Sequence, residues 1–428
     1  LTILPFVLIL IGAAIDLTWP SPRLGAYALM AFLLGSLAGL VTLYTTPRYV
    51  ERDYRPLIGQ IVQQGGPDDT VFAIFPWQIG YWRAYVPEAF RNQHGPEARL
   101  AAEGILEWGP DIQAAVDAAL AQGTVWFPEP LSFGSTLPGE IEAYLAPRSA
   151  NLVNRWYGPA TRLTAWRALP QGELAAVDAD FGPARLNAAR IMPNQAAAAN
   201  EPVAVTLAWQ MAPGHQAEDY YVTLRLFDEE DRQWAARDYA PLGGLAIEYE
   251  PEVVEQVGLT VPAGLPPGAY TLAVGLGEQS SQALLRPATV GSDVEPFHPL
   301  ALLKVTQPSA PLPVARLPIQ FPLDRLVVDN GLALLGHAGA TDEEPTLAGT
   351  ELSVRLFVQN QAAEPPPRRL YLSLRDKQGN AVAEWEGWTL LDYPTESWPE
   401  GALIQIPATF MVPPTVQTGD YTLITRLV

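Results

Sequence analysis

One stretch, Leu24–Tyr44 (LGAYALMAFLLGSLAGLVTLY), carries no charged residue, and it constrains the chain more than any other feature. As an α-helix it would rise about 32 Å, close to the ~30 Å hydrocarbon core of a bilayer. Gly35 and Gly39, four residues apart, give it a small-residue face suited to packing against another helix. Leu1–Ile15 is also charge-free and ends at Asp16; it lacks the basic leader and small-residue cleavage site of a signal peptide. The pattern predicts an N-terminal transmembrane helical hairpin over 1–47, its first helix cut short, with Trp19 of the Asp16–Arg23 loop at the interface. The competing expectation for 24–44 is a buried helix in a protein core. Arg48, Arg52 and Arg55 come after the second helix and by loop charge would hold the remainder in the cytoplasm. Long domains translocate largely regardless of charge, and the rest reads as an exported protein. The bulk is therefore expected on the extracytoplasmic side, at the cell surface.

Beyond the hairpin the chain is strongly acidic. Asp and Glu number 46 against 26 Lys and Arg, a net charge of −20, which repels a phosphate backbone and argues against nucleic-acid partners. There is no cysteine, so disulfides and thiolate metal sites are excluded. The 42 prolines are spread along the chain, as expected of many short strands with Pro-containing loops. The chain opens inside an apolar run and closes inside a strand-like one, so it reads as part of a longer protein.

Residues 48–170 read as a small α/β domain. Helical spacing over Asp53–Gln64 stops at Gly65-Gly66. A turn at Pro67-Asp68-Asp69 then leads into the apolar run Thr70–Phe75, a buried strand. Asp111–Ala121 is a second helix before a strand at Thr124–Phe127, and the alternation suggests parallel βαβ pairing. A helix at Gly139–Ala146 and strands near Asn151–Tyr157 and Thr161–Ala168 complete the unit.

The segments DYRPLIGQI at 53–61, DDTVFAIFPWQIGYWRAYVP at 68–87, VWFPEP at 125–130, EIEAYL at 140–145 and NRWYG at 154–158 carry a resemblance. Asp53–Leu169 resembles the soluble tail of bacterial family 39-like membrane glycosyltransferases, relatives of protein mannosyltransferases. The resemblance implies lipid-linked sugar donors and a catalytic acidic loop near the N-terminus of a full-length enzyme. No position here matches that loop, so no catalytic residue is transferred. In Pro76–Trp82, at the end of a predicted strand where α/β sheets commonly place ligands, Trp77, Tyr81 and Trp82 could stack on a sugar and Gln78 could bond its hydroxyls. The alternative is that these aromatics pack the α/β unit onto the membrane surface or onto a transferase body outside this sequence.

From about Ala175 the pattern becomes short alternating strands, and it repeats. Val205–Gln210 parallels Val354–Gln359, Val222–Asp228 parallels Leu370–Asp376, and Gly268-x-Tyr270-x-Leu272 parallels Gly419-x-Tyr421-x-Leu423. Alternation means one face buried and one wet. The Gly-x-Tyr-x-Leu motif resembles the tyrosine corner of immunoglobulin-like sandwiches. Two all-β immunoglobulin-like sandwiches are expected, 175–307 and 314–428, joined by the Pro-rich Gln307–Pro313, the second lacking a last strand. Trp385, Trp388, Tyr393 and Trp398 form an aromatic run that serves either a carbohydrate platform or a core.

No enzyme signature appears. The histidines His94, His215, His298 and His337 have no metal-ligand spacing, HExxH and Gly-x-Ser-x-Gly are absent, and no Gly-rich phosphate loop comes after the first strand. No cofactor or metal is expected. Acidic runs at Asp228–Asp231 and Asp342–Glu344 read as solvated turns rather than calcium sites. Two functional expectations remain: the non-catalytic C-terminal portion of a membrane glycosyltransferase-like protein that positions acceptor, carbohydrate or lipid-linked sugar; or a non-enzymatic, membrane-anchored surface protein whose sandwiches are spacer or adhesion modules.

Overall fold

The computed structural model describes residues 12–13, 22–45, 54–66, 68–75, 78–86, 99–100, 108–130, 136–169, 172–239, 252–288, 296–328, 331–339, 346–388, 390 and 392–427. They form a predominantly β protein of several sheets with few helices. The expected transmembrane hairpin is not established. All but residues 12–13 of its first helix lies outside the described residues, and among the described residues no helix is long and apolar enough to cross a membrane. The second stretch is helical, as α1 (Pro22–Thr45), but its described side chains run unbroken only over residues 29–42. Along α1, Tyr27, Leu29, Met30, Leu33, Leu34, Leu37, Leu40 and Val41 are all exposed.

The helices and strands read from residues 48–170 occur in sequence order, with a helix at Gln78–Tyr85, read as a turn, and a short strand at Arg99–Leu100 added between them. The helices of this α/β unit are α2 (Arg55–Gln64), α3 (Gln78–Tyr85), α4 (Pro110–Leu120) and α5 (Leu137–Leu145). Its strands are β1 (Thr70–Ala73), β2 (Arg99–Leu100), β3 (Thr124–Pro130), β4 (Ser149–Gly158) and β5 (Thr161–Ala168). Period-2 alternation supplies two apolar faces from the same strands. Val71, Ala73 and Trp126 pack with Leu57, Ile58 and Ile61 of α2. Phe72, Val125 and Phe127 turn the other way, onto Val116 and Leu120 of α4 and Ile141 and Leu145 of α5. The expected parallel pairing holds for β2–β1–β3; β5 then pairs antiparallel with both β3 and β4, so the sheet is mixed.

Two β-sandwiches come next. In the first, one sheet holds β6 (Ala175–Asp180), β7 (Ala184–Met192), β9 (Pro202–Met211) and β12 (Glu252–Thr260). The facing sheet holds β8 (Ala196–Ala198), β10 (Tyr220–Phe227), β11 (Gln233–Tyr239), β13 (Gly268–Glu278), β14 (Leu284–Leu285) and β15 (His298–Thr306). Val205, Leu207 and Val257 of the first meet Leu224, Leu272 and Val274 of the second in one core.

The second sandwich repeats this plan. A sheet of β16 (Phe321–Val328), β17 (Leu332–Gly339), β18 (Glu351–Asn360) and β21 (Leu403–Met411) faces one of β19 (Arg369–Arg375), β20 (Ala381–Trp388) and β22 (Thr422–Leu427). The orders β6-β7-β9-β12 and β16-β17-β18-β21 correspond, as do β11-β10-β13 and β20-β19-β22. Tyr270 donates its hydroxyl to Pro266 O at 2.9 Å, and Tyr421 donates to Gln417 O at 2.7 Å, each four residues back.

The α/β unit and the first sandwich share a sheet. β4 and β12 pair in parallel at Asn151 and Val257, making one nine-stranded sheet that runs across the 170–175 boundary. Gly258 permits this approach, since a Cβ there would lie 2.7 Å from Leu152. Arg237 of β11 reinforces the seam by donating to Asn151 O, Asn151 Oδ1 and Gly258 O.

Candidate functional site

Three of the four candidate glycan-contacting residues after β1, Gln78, Tyr81 and Trp82, fall on described backbone. Trp77 lies outside the described residues. Gln78, at the start of α3, is buried and spends its amide on the backbone. Its Oε1 accepts from Ile74 N and Phe75 N, both at 2.7 Å, and its Nε2 donates to Pro128 O at 2.9 Å. It therefore staples the exit of β1 to the end of β3. Trp82 is buried among Tyr54, Leu57 and Val86. Tyr81 alone of the described candidates offers a partly open ring, and Tyr85, one helical turn on, lies beside it with centroids 6.0 Å apart. The i, i+4 spacing on α3 is the signal that could have marked Tyr85 as the partner. Tyr54 closes the row, 5.4 Å from Tyr81.

Behind this turn lies an ionic cluster that sequence reasoning did not isolate. Arg162 of β5 reaches Glu142 of α5, Glu129 of β3 at 3.5 Å, and Asn154 Oδ1 at 2.9 Å. Thr164 donates its hydroxyl to Glu129 Oε1 at 3.1 Å. Glu129, Glu142 and Arg162 are all under 5% exposed. One guanidinium thus serves two carboxylates away from water. Burial pushes the Glu129 carboxyl up to about 7, with Arg162 pulling it down and Glu142 pushing it up. These contacts tie β3, β5 and α5 together. With 46 acidic residues in the chain, no spacing singles out these two.

The aromatic run of the second sandwich is mostly core. Trp398 is buried, donates Nε1 to Tyr393 O at 3.0 Å, and stacks with the Tyr393 ring at 6.3 Å. Trp385 is half-buried against the same core, and the side chain of Trp388 lies outside the described residues. Trp385 and Tyr393 border a cleft of about 520 Å³ whose opposite wall is the Asp228–Arg232 turn of the first sandwich.

The acidic turn residues are occupied by local bonds. Asp228 Oδ1 accepts from Glu230 N at 3.1 Å and Arg232 N at 2.9 Å, while Oδ2 accepts from Trp234 Nε1 at 2.8 Å. Its counterpart Asp376 accepts from Gln378 N at 2.9 Å and Asn380 N at 2.8 Å. Asp342–Glu344 lies outside the described residues. Among the described residues no group of three or more histidine or carboxylate side chains is placed to hold a metal.

No protein-family model matches the chain, and no curated protein does. Among solved structures, the C-terminal domain of Wzt is similar over 32% of this chain and 81% of that domain, at 12% identity and a TM-score of 0.20. A likeness that low bears on neither function nor overall architecture.

Proposed function

We propose that the chain is the non-catalytic, extracytoplasmic portion of a membrane glycosyltransferase-like protein, in which immunoglobulin-like sandwiches position an acceptor or glycan beside the bilayer. The observation that carries this reading is α1. It has no charge after Arg23 and leaves eight large apolar or aromatic side chains exposed, immediately before an acidic β-rich body. Apolar surface of that extent costs roughly 25 cal/mol per Å² in water and nothing in lipid. Over its full 24 residues α1 is about 36 Å long, against a hydrocarbon core of ~30 Å, although its described residues alone do not make a span.

The family 39-like resemblance of residues 53–169 supplies the glycosyltransferase part of the reading. The two tyrosine hydroxyl bonds, each reaching four residues back, support the immunoglobulin-like assignment. Tyr81 and Tyr85 offer the ring surface on which a sugar would stack at the α/β end.

A second reading, a spacer or adhesion module on a membrane anchor, is favoured by the packed apolar contact between the sandwiches. There Leu317 and Phe357 pack with Ala263 and Leu403. A glycan array probed with the full chain in detergent separates the two. Retention of any glycan, weakened by Tyr81→Ala, supports positioning; an array with no glycan retained leaves the spacer.

A further inference from the structure

A cleft of about 520 Å³ opens where the α/β unit, the first sandwich and the start of the second converge. Four arginines line it: Arg155 from β4, Arg237 from β11, Arg316 ahead of β16, and Arg355 from β18. One carboxylate, Asp238, shares the lining, and it is already held by Arg225 at 2.6 Å and by the Thr223 hydroxyl. The chain as a whole carries 46 acids to 26 bases, so this wall inverts the balance of the molecule.

The four guanidinium groups differ in how far they are already committed. Arg237 is spent on the seam carbonyls. Arg316 is buried beside Asp69. Arg155 and Arg355 form no ion pair with a carboxylate among the described residues. Arg155 lies over the Tyr157 ring at 5.1 Å, and Arg355 lies over Trp234 at 5.0 Å with one bond to Gln233 O at 3.3 Å. Burial holds the Arg355 guanidinium below its ordinary value, with no acid opposing the effect. Desolvating a cation without a counter-ion is costly, and an anion entering the cleft would remove that cost. The guanidinium fork matches a carboxylate or phosphate bidentately. The same walls carry side-chain amides: Asn154 Oδ1 is held by Arg162, Gln60 accepts from the Tyr157 hydroxyl and donates to Gln64 Oε1 at 3.2 Å, and the Gln64 amide nitrogen is a donor suited to a hydroxyl group.

We propose that this cleft binds an oxyanionic saccharide, a sugar bearing a carboxylate or phosphate, with Arg155 and Arg355 clamping the anion and the Gln64 amide nitrogen donating to a hydroxyl. The sugar component rests on the glycan-positioning reading; the anion component rests on the arginines alone. A uronate in a polymer and the phosphate of a sugar phosphate share this chemistry.

The test is calorimetric titration of the full chain in detergent at low ionic strength. The probes are a tetragalacturonate, a neutral tetrasaccharide, a hexose 1-phosphate and inorganic phosphate, applied to the parent and to Arg155→Gln, Arg355→Gln and Arg369→Gln. The expected result is that one or both acidic sugars bind and the neutral sugar binds at least roughly tenfold more weakly. Each cleft substitution should weaken the acidic probe roughly tenfold, as loss of one charge-assisted bidentate contact does. Arg369→Gln, on an exposed strand pairing with Glu386, should leave it unchanged. Arg155 is exposed, so its substitution tests binding with the fold intact. Uronate against hexose phosphate tells the two sources apart. Equal binding of neutral and acidic sugars overturns the inference while sparing the glycan reading. Inorganic phosphate binding as tightly as hexose phosphate overturns the sugar component. No binding by any probe, or binding indifferent to Arg155 and Arg355, overturns the whole proposal.

Discussion

Gln405 of β21 donates its side-chain amide to the carbonyl of Ala263, tying the second sandwich to the loop that leaves β12 of the first. The backbone repeats the tie one residue along, with Gln405 N donating to Gly264 O at 2.8 Å. Gly264 sits at φ +78, and a Cβ there would lie 2.9 Å from Leu317 and 3.2 Å from Gln405 Cγ. The joint is therefore packed and hydrogen-bonded, unlike a flexible tether.

Gly264→Ala should weaken that joint, because the new methyl meets both a left-handed backbone and an occupied space. A loss of about 1–3 kcal/mol in urea unfolding is expected, with an increased radius of gyration in small-angle scattering. An unchanged midpoint and radius would mean that the sandwiches do not depend on this contact.

The paired tyrosines should differ in worth. Tyr270 is 4% exposed, whereas Tyr421 lies near the surface, where water can replace its bond. Tyr270→Phe leaves Pro266 O with a lost partner in a buried setting and should cost about 1–2 kcal/mol. Tyr421→Phe should cost less than half of that. Matched denaturant titrations of the two variants read the difference, and equal losses would count against the burial argument.

The seam between β4 and β12 depends on Arg237. Arg237→Met removes the donor from Asn151 O and Gly258 O together, at a cost of about 3 kcal/mol or more. Amide exchange should accelerate first across residues 149–158 and 252–260. Exchange rising uniformly over the whole chain instead would show that the seam has no local role. By the same logic a fragment beginning at 175 bares the β12 edge and should associate with itself, which sedimentation velocity would detect.

Glu129 gives the α/β unit an unusual dependence on pH. The folded state holds this proton more tightly than the unfolded chain, because the carboxyl rises from 4.5 to about 7, chiefly through burial. The stability this group contributes is thus complete below pH 4.5 and is lost as pH rises toward 7. Glu129→Gln keeps an acceptor for Thr164 and Arg162 without the titration, so its melting temperature should fall less than the parent's across that interval. Parallel slopes in the two proteins would contradict the assignment.

Much of this architecture is visible in the residues themselves. Alternation in Val222–Phe227 and Leu370–Leu374 marks strands with one buried face, and the spacing of Gly-x-Tyr-x-Leu marks equivalent corners, because both are local consequences of a period of two. The strand Thr70–Ala73 shows through its unbroken apolar run, as a strand covered on both faces does. The shared sheet does not show: it hangs on one parallel register between Asn151 and Val257, far apart in sequence, and on a glycine whose lack of a side chain matters only once β4 is beside it. The backbone bonds of Gln78 do not show for a related reason. An amide is the same residue type whether it bonds a sugar or caps Ile74 and Phe75, and only the backbone geometry tells which. The arginine cleft draws on β4, β11, β18 and the segment ahead of β16, so no window of sequence contains it.

Lipid around α1 and water around the acidic β-rich body is the arrangement on which the proposed function depends. Reconstituting the full chain into vesicles, washing at alkaline pH and footprinting with hydroxyl radicals tests it directly. The chain should float with the vesicles, and Leu29–Val41 should escape labelling while Tyr81 and Tyr85 are modified. A chain that stays monodisperse in detergent-free buffer, with α1 protected there and no vesicle association, would contradict it.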